Sequence, residues 1–134
     1  LEAEGVNKLG SHQGLWTRYY QSGKIFFQVT FINDKENGKS QCYHENGNLA
    51  TEAVYKDGLL DGPYSKFYSE GNLEATREFK GGIQVGPQVT YYMTGSVEET
   101  VDFLGGEPHG IWKCFDEHGE LIETRLYEHG NAVE

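Results

Sequence analysis

Much that would point to catalysis or membrane insertion is missing from this chain. No apolar run reaches the length of a membrane span, and the first residues do not read as a signal peptide. No window carries apolar residues at a sustained helical spacing, which argues against helices. There are only two cysteines, three prolines and one methionine among 134 residues. The five histidines, His12, His44, His109, His118 and His129, and the cysteines Cys42 and Cys114 do not fall at metal-ligand spacings. Residues 86–109 contain no Lys or Arg at all. With a net charge of −10, the chain lacks the basic footprint that nucleic acid or an anionic lipid surface requires.

Glycine, in contrast, is abundant and regular. Gly14, Gly38, Gly62, Gly86 and Gly110 are spaced by 24, as are Gly23, Gly47, Gly71, Gly95 and Gly119. A third column holds Gly58, Gly82, Gly106 and Gly130, with Asp34 in the first unit. Three apolar columns keep step: Tyr19, Tyr43, Phe67, Tyr91, Phe115; Ile25, Leu49, Leu73, Val97, Leu121; and Phe31, Tyr55, Phe79, Phe103, Tyr127. A period of 24 is too short for helix-pair repeats and suits two short strands with two turns. The segments LWTRYY and KIFFQVTFI are rich in strand-forming types. The expected fold is therefore all-β: an antiparallel meander of five β-hairpin repeats forming an elongated, curled sheet. Its units are 14–37, 38–61, 62–85, 86–109 and 110–134, one repeat domain over 14–134. Residues 1–13 read as a degenerate half repeat or N-terminal cap, since Leu1 precedes Ile25 and Gly10 precedes Asp34 by one period. A chain that begins with Leu is expected to be processed or truncated.

A three-residue loop ending in a left-handed glycine would pair Tyr43 with Leu49 and place the first two apolar columns cross-strand on one face. By parity along the strand, the Phe31 column joins that face. Trp16, Arg18 and Tyr20 then lie on the opposite face, and Tyr64, Tyr68, Tyr92 and Trp112 share their columns. This second face reads either as a protein-binding groove, since Trp and Tyr are favoured interface anchors, or as a second apolar layer buried as the sheet rolls.

The repeat also limits the chemistry. Cys42 and Cys114 stand in one column three units apart, roughly 30 Å, whereas a disulfide needs Cα atoms within about 7 Å. Free thiols lean towards a reducing, cytoplasmic compartment. Glu98 and Glu99, adjacent on a strand, are expected to face opposite ways and not to act as a paired acid and base. Stacked Glu74/Glu98 and Glu99/Glu123 read as solvated charges. Cys42 and His44, two apart, read as an exposed polar pair. No catalytic residue, metal site or cofactor is assigned. Acidic residues concentrate late in the chain, and Glu98, Glu99, Asp102, Asp116 and Glu117 form a candidate steering patch for a basic protein partner.

The run Gly14-Leu15-Trp16-Thr17-Arg18-Tyr19-Tyr20-Gln21-Ser22-Gly23, echoed by Gly62 to Gly71 and Gly110 to Gly119, resembles the variant MORN repeat. Within that class it is most similar to the bacterial YwqK-type antitoxin proteins. The resemblance covers residues 14–130. It implies a β-hairpin array acting as a non-catalytic protein-binding module, with an antitoxin- or immunity-like role. The alternative it allows is a scaffold or adaptor segment of a longer repeat protein. Ser40 and Gln88 depart from the pattern at the Trp position, and His44 and Asp116 at the second Tyr.

Overall fold

The computed structural model describes the backbone of residues 3–8 and 11–133 and the side chains of residues 13–133. Leu1 and Gly10, which suggested an earlier unit, lie outside the described residues, as does the His12 side chain. The described chain forms one antiparallel sheet of 13 strands. In order these are β1 (Ala3–Lys8), β2 (Ser11–Tyr19), β3 (Ile25–Ile32), β4 (Lys35–Tyr43), β5 (Leu49–Lys56), β6 (Leu59–Leu60), β7 (Gly62–Phe67), β8 (Leu73–Lys80), β9 (Ile83–Tyr91), β10 (Val97–Leu104), β11 (Glu107–Phe115), β12 (Leu121–Glu128) and β13 (Asn131–Val133). Each strand pairs with its neighbour in sequence. The exception is β6, a two-residue piece on β5 separated from β7 by Asp61. Pro63 follows, and a proline has no N–H to give a ladder.

Two turn types alternate. The three-residue loops close with Gly23, Gly47, Gly71, Gly95 and Gly119 at positive φ, and Gly23 N–H donates to the Tyr20 carbonyl. The pairs Tyr19↔Ile25, Tyr43↔Leu49, Phe67↔Leu73, Tyr91↔Val97 and Phe115↔Leu121 follow, as the repeat predicted. The other turns have two residues, both left-handed: Asn33-Asp34, Asp57-Gly58, Gly81-Gly82, Gly105-Gly106 and His129-Gly130. This backbone matches the right-handed twist of the strands it joins. Asp34 adopts it at φ 68° in place of glycine, which a short polar side chain tolerates.

One expectation about faces fails. Beyond Tyr19↔Ile25 the next pair is Arg18↔Phe27, so Phe26 is an extra residue in the ladder. The same bulge recurs in every hairpin, at Ala50, Glu74, Glu98 and Ile122. It reverses the parity of the rest of the strand. Trp16 therefore pairs with Val29, and its ring meets Phe31 edge-on with centroids 6.0 Å apart. The Phe31 column lies on the Trp16 side and not on the Tyr19 side. The deeper core is on this side too: Val29 (5% exposed), Ala53 (5%), Ala75 (3%) and Val101 (9%) all belong to it. On the opposite face Thr17 is buried and accepts a hydrogen bond from Gln28 Nε2 at 3.2 Å.

Candidate functional site

The face that carries Trp16 is built in alternating blocks. In odd units an aromatic ring stands upright across the sheet. Trp16 is braced by Phe31, and Tyr64 is braced by Phe79 at the same 6.0 Å edge-on geometry. Arg77 lies 5.6 Å from the Tyr64 ring centroid and donates Nε–H to Gln88 Oε1 at 3.1 Å. Arg125 covers Trp112 in the same way, at 5.7 Å. In even units the Trp column holds Ser40 or Gln88 instead, and a hollow opens at each. The first, about 320 Å³, is lined by Val29, Glu36, Ser40, Cys42, Ala53 and Tyr64, among others. The second, about 160 Å³, is lined by Gln88, Glu99, Val101, Phe103, Trp112 and Tyr127, among others. Each of the two departures from the repeat pattern at the Trp position thus lines a hollow on this face.

The six aromatic residues singled out from the sequence divide into two groups. Trp16, Tyr64 and Trp112 are the uprights; Tyr64 lines the first hollow and Trp112 the second. Trp112 donates Nε1–H to Glu99 Oε1 at 3.0 Å. Tyr20, Tyr68 and Tyr92 sit at strand ends and reach one unit onward. Their hydroxyls donate to the carbonyls of Tyr43 (2.6 Å), Tyr91 (2.7 Å) and Phe115 (2.7 Å). His44 Nε2 makes the matching contact with the Phe67 carbonyl at 3.0 Å. So His44 occupies the second-Tyr column and bridges to the next unit as the tyrosines do. These hydroxyls are held above the ordinary tyrosine pKa by desolvation first and then by nearby groups: Glu74 and Glu98 at Tyr68, and Glu98 and Cys114 foremost at Tyr92.

The acidic residues are also redistributed. Glu98 is the bulge residue of its hairpin, and its Oε1 accepts from Thr90 Oγ1 at 3.4 Å. Thr90 pairs with Glu99, so both carboxylates lie on the Thr90 side, contrary to the alternation expected of neighbours. Burial of Cys114 raises its pKa, and Glu99, Glu98 and Glu123 raise it further, which disfavours the thiolate. Asp116 and Glu117 stand near Tyr92 at the adjoining turn. Asp116 Oδ1 accepts the N–H groups of His118 (2.9 Å) and Glu120 (3.0 Å). Asp102 is on the opposite face, since it pairs with Pro87 while Val101 pairs with Gln88. Among the described residues no group of three or more His, Cys, Asp or Glu side chains is arranged to hold a metal ion.

Two further sets of contacts between units were not anticipated. Gln13, Asn37 and Asp61, one column before the first glycine, accept the N–H of Asn33, Asp57 and Gly81 from the following two-residue turn. Asn46 and Asn48 Nδ2 both donate to the Ser69 carbonyl, and Asn72 Nδ2 donates to the Met93 carbonyl. Recurrent amide and carboxylate side chains in fixed columns carry part of this signal. Their partners one unit away do not.

A search of curated proteins returns no match. The family model described as the MORN repeat variant matches residues 13–33, 36–57, 60–80 and 108–129, more than half the chain. It passes over the fourth hairpin, which nonetheless has the same loop, bulge and pairing as the others. With four matched segments falling on the hairpins described above, the chain belongs to the MORN repeat variant family.

Proposed function

We propose that this chain is a non-catalytic protein-binding module that sequesters a basic partner in the manner of an antitoxin or immunity protein. The observation that supports the reading is the Trp16 face: aromatic uprights, two adjacent hollows, and carboxylates at Glu36 and Glu99 within them. Aromatic anchors beside apolar pockets dominate interface energetics, and a one-signed charge field steers the opposite charge towards them. Tyr20, Tyr68 and Tyr92 contribute to this surface by holding successive units together. Glu98, Glu99, Asp116 and Glu117 supply the steering field, and Asp102 adds to it from the other face.

The test begins with the immobilised chain as bait in an extract of its native host. Trp16→Ala, Tyr64→Ala and Trp112→Ala are run beside the wild type. The captured protein is identified, purified and titrated calorimetrically. At least one variant is expected to weaken binding about tenfold or more. The partner alone should arrest growth when expressed, and co-expression of this chain should relieve the arrest. Undiminished affinity in all three variants would make the aromatic uprights purely architectural. Binding without growth arrest would remove the antitoxin role and leave the binding module.

A further inference from the structure

We infer that the two hollows are equivalent anchor sites, two units apart, for one extended basic segment of a partner protein that carries two bulky apolar side chains about six residues apart. The inference rests on the binding role proposed above and specifies its ligand.

Equivalence comes from the columns. Ser40 and Gln88, Ala53 and Val101, and Tyr64 and Trp112 are each 48 residues apart, and each pair contributes one member to each hollow. The repeat unit is 24 residues, but the surface repeats every second unit. The cause is the alternation Trp16, Ser40, Tyr64, Gln88, Trp112: a large ring, then a smaller side chain, in turn. Between the hollows stands one divider, Tyr64 with Arg77 laid over it. A ligand that fills both must pass this divider and present a side chain on each side of it.

The spacing follows from the sheet. Two units are four strands, at about 4.8 Å each, so the hollows repeat at about 19 Å. An extended chain advances about 3.3 Å per residue, which makes that distance about six residues. The occupant's charge follows from the carboxylates Glu36 in one hollow and Glu99 in the other. Three cations on this face are engaged: Lys66 with Glu74 at 3.3 Å, Arg125 with Glu123 at 2.6 Å, and Arg77 with Gln88 and Tyr64. Arg18, exposed on the same face, stands in the first unit, outside the stretch between the hollows. Lys and Arg between the two anchors are therefore favoured. A second copy of this chain, at net charge −10, is not.

The proposal is tested with synthetic peptides of Lys and Ser that carry two Trp six residues apart, two Trp three apart, or one Trp. Binding to the full chain is followed by fluorescence anisotropy at low salt. The six-apart peptide is expected to bind about tenfold or more tightly than the single-Trp peptide, because the second anchor is held at high effective concentration. Ser40→Trp and Gln88→Trp put back the ring that Trp16 and Trp112 show this column accepts. Each should reduce the six-apart peptide to single-Trp affinity, and the double variant should lose both peptides. Circular dichroism checks that the fold is kept.

Equal binding of the three-apart peptide, no effect of filling the hollows, or no binding to the wild type would each overturn the inference. So would self-association, or adhesion to phosphatidylserine vesicles, that disappears in the double variant, since a second copy or a lipid would then be the occupant. If the double variant still binds the partner captured from the host, the hollows are not the anchors while the binding role stands. If Trp16→Ala, Tyr64→Ala and Trp112→Ala leave that partner's affinity unchanged, the aromatic face itself fails as the binding surface.

Discussion

The hairpin β7–β8 and the hairpin β11–β12 are written in the same frame and end in different physical situations. Both have the three-residue loop, the bulge and the aromatic-to-leucine pair, Phe67↔Leu73 in one and Phe115↔Leu121 in the other. In β8 every odd-numbered side chain from Leu73 to Phe79 is at least partly buried, and Ala75 is the most buried hydrophobic residue of the core. In β12 all but Tyr127 are exposed, with Leu121 at 54% and Ile122 at 61%. The difference lies in the neighbours. β8 has β7 on one side and the nine-residue β9 on the other, whereas β12 has only three residues of β13 beyond it. The bridge between units shows the same contrast. Tyr68 reaches forward to the Tyr91 carbonyl, while Asp116, in the same column, turns back and caps its own loop. A repeat of this kind owes its stability to what stands beside it more than to its own residues.

Burying a charge should separate the inside of the array, here β10 next to the last hairpin, from its end at β12 most sharply. Val101→Asp, inside the array, is expected to destabilise by about 3 kcal/mol or more, because an unpaired carboxylate would sit in the core. Arg125→Asp, one unit later in the same column, should cost under about 1 kcal/mol. Urea midpoints followed by circular dichroism check both, and equal losses would break the comparison.

Truncating the paired leucine gives a smaller contrast. Leu73→Ala is expected to cost about 2 kcal/mol and Leu121→Ala under about 0.5 kcal/mol, since the second side chain is largely in water already. Removing a single bridge is smaller again. Tyr68→Phe deletes the hydroxyl that meets the Tyr91 carbonyl and should cost about 1 kcal/mol, with faster amide exchange in the hairpin that follows. Asp116→Ala should loosen only its own loop. Exchange spreading back from residue 116 into earlier hairpins would contradict that assignment.

The smallest effect at neutral pH is the titration of the bridging tyrosines. Tyr20, Tyr68 and Tyr92 have pKa values raised in the folded state, by desolvation first. The unfolded chain therefore loses these protons first. The stability they contribute is intact below the ordinary tyrosine pKa, about 10, and is lost as pH rises through the folded values. Replacing all three with Phe should flatten the alkaline limb of the stability profile while lowering stability at pH 7. An unchanged limb would show that the hydroxyls are not the groups responsible.

Which residues pair across each three-residue loop was readable before any coordinates, because the cause is local. A glycine every 24 residues supplies the left-handed loop position, and the aromatic and aliphatic columns on either side can meet only if Tyr43 faces Leu49 and its equivalents do the same. Trp16, Tyr64 and Trp112 were correctly grouped on one face for the same reason. The side of the sheet that holds the deeper core was not readable. It depends on an extra residue at Phe26, Ala50, Glu74, Glu98 and Ile122, a column with no shared chemistry and hence no signature.

His44, read as a departure from the pattern, proved to be a bridge because its partner is a backbone carbonyl 23 residues away, and a carbonyl leaves no trace in the identity of its residue. Ser40 and Gln88 became hollows only once the upright rings of the units on either side were in place. The amino-acid sequence by itself determined the period, the turns and the pairing of strands, since these follow from backbone freedom and side-chain alternation within a few residues. Only the tertiary structure decided which face is deep, which side chains bridge the units and where the surface opens, because those depend on the ladder's cumulative register and on neighbours one unit away.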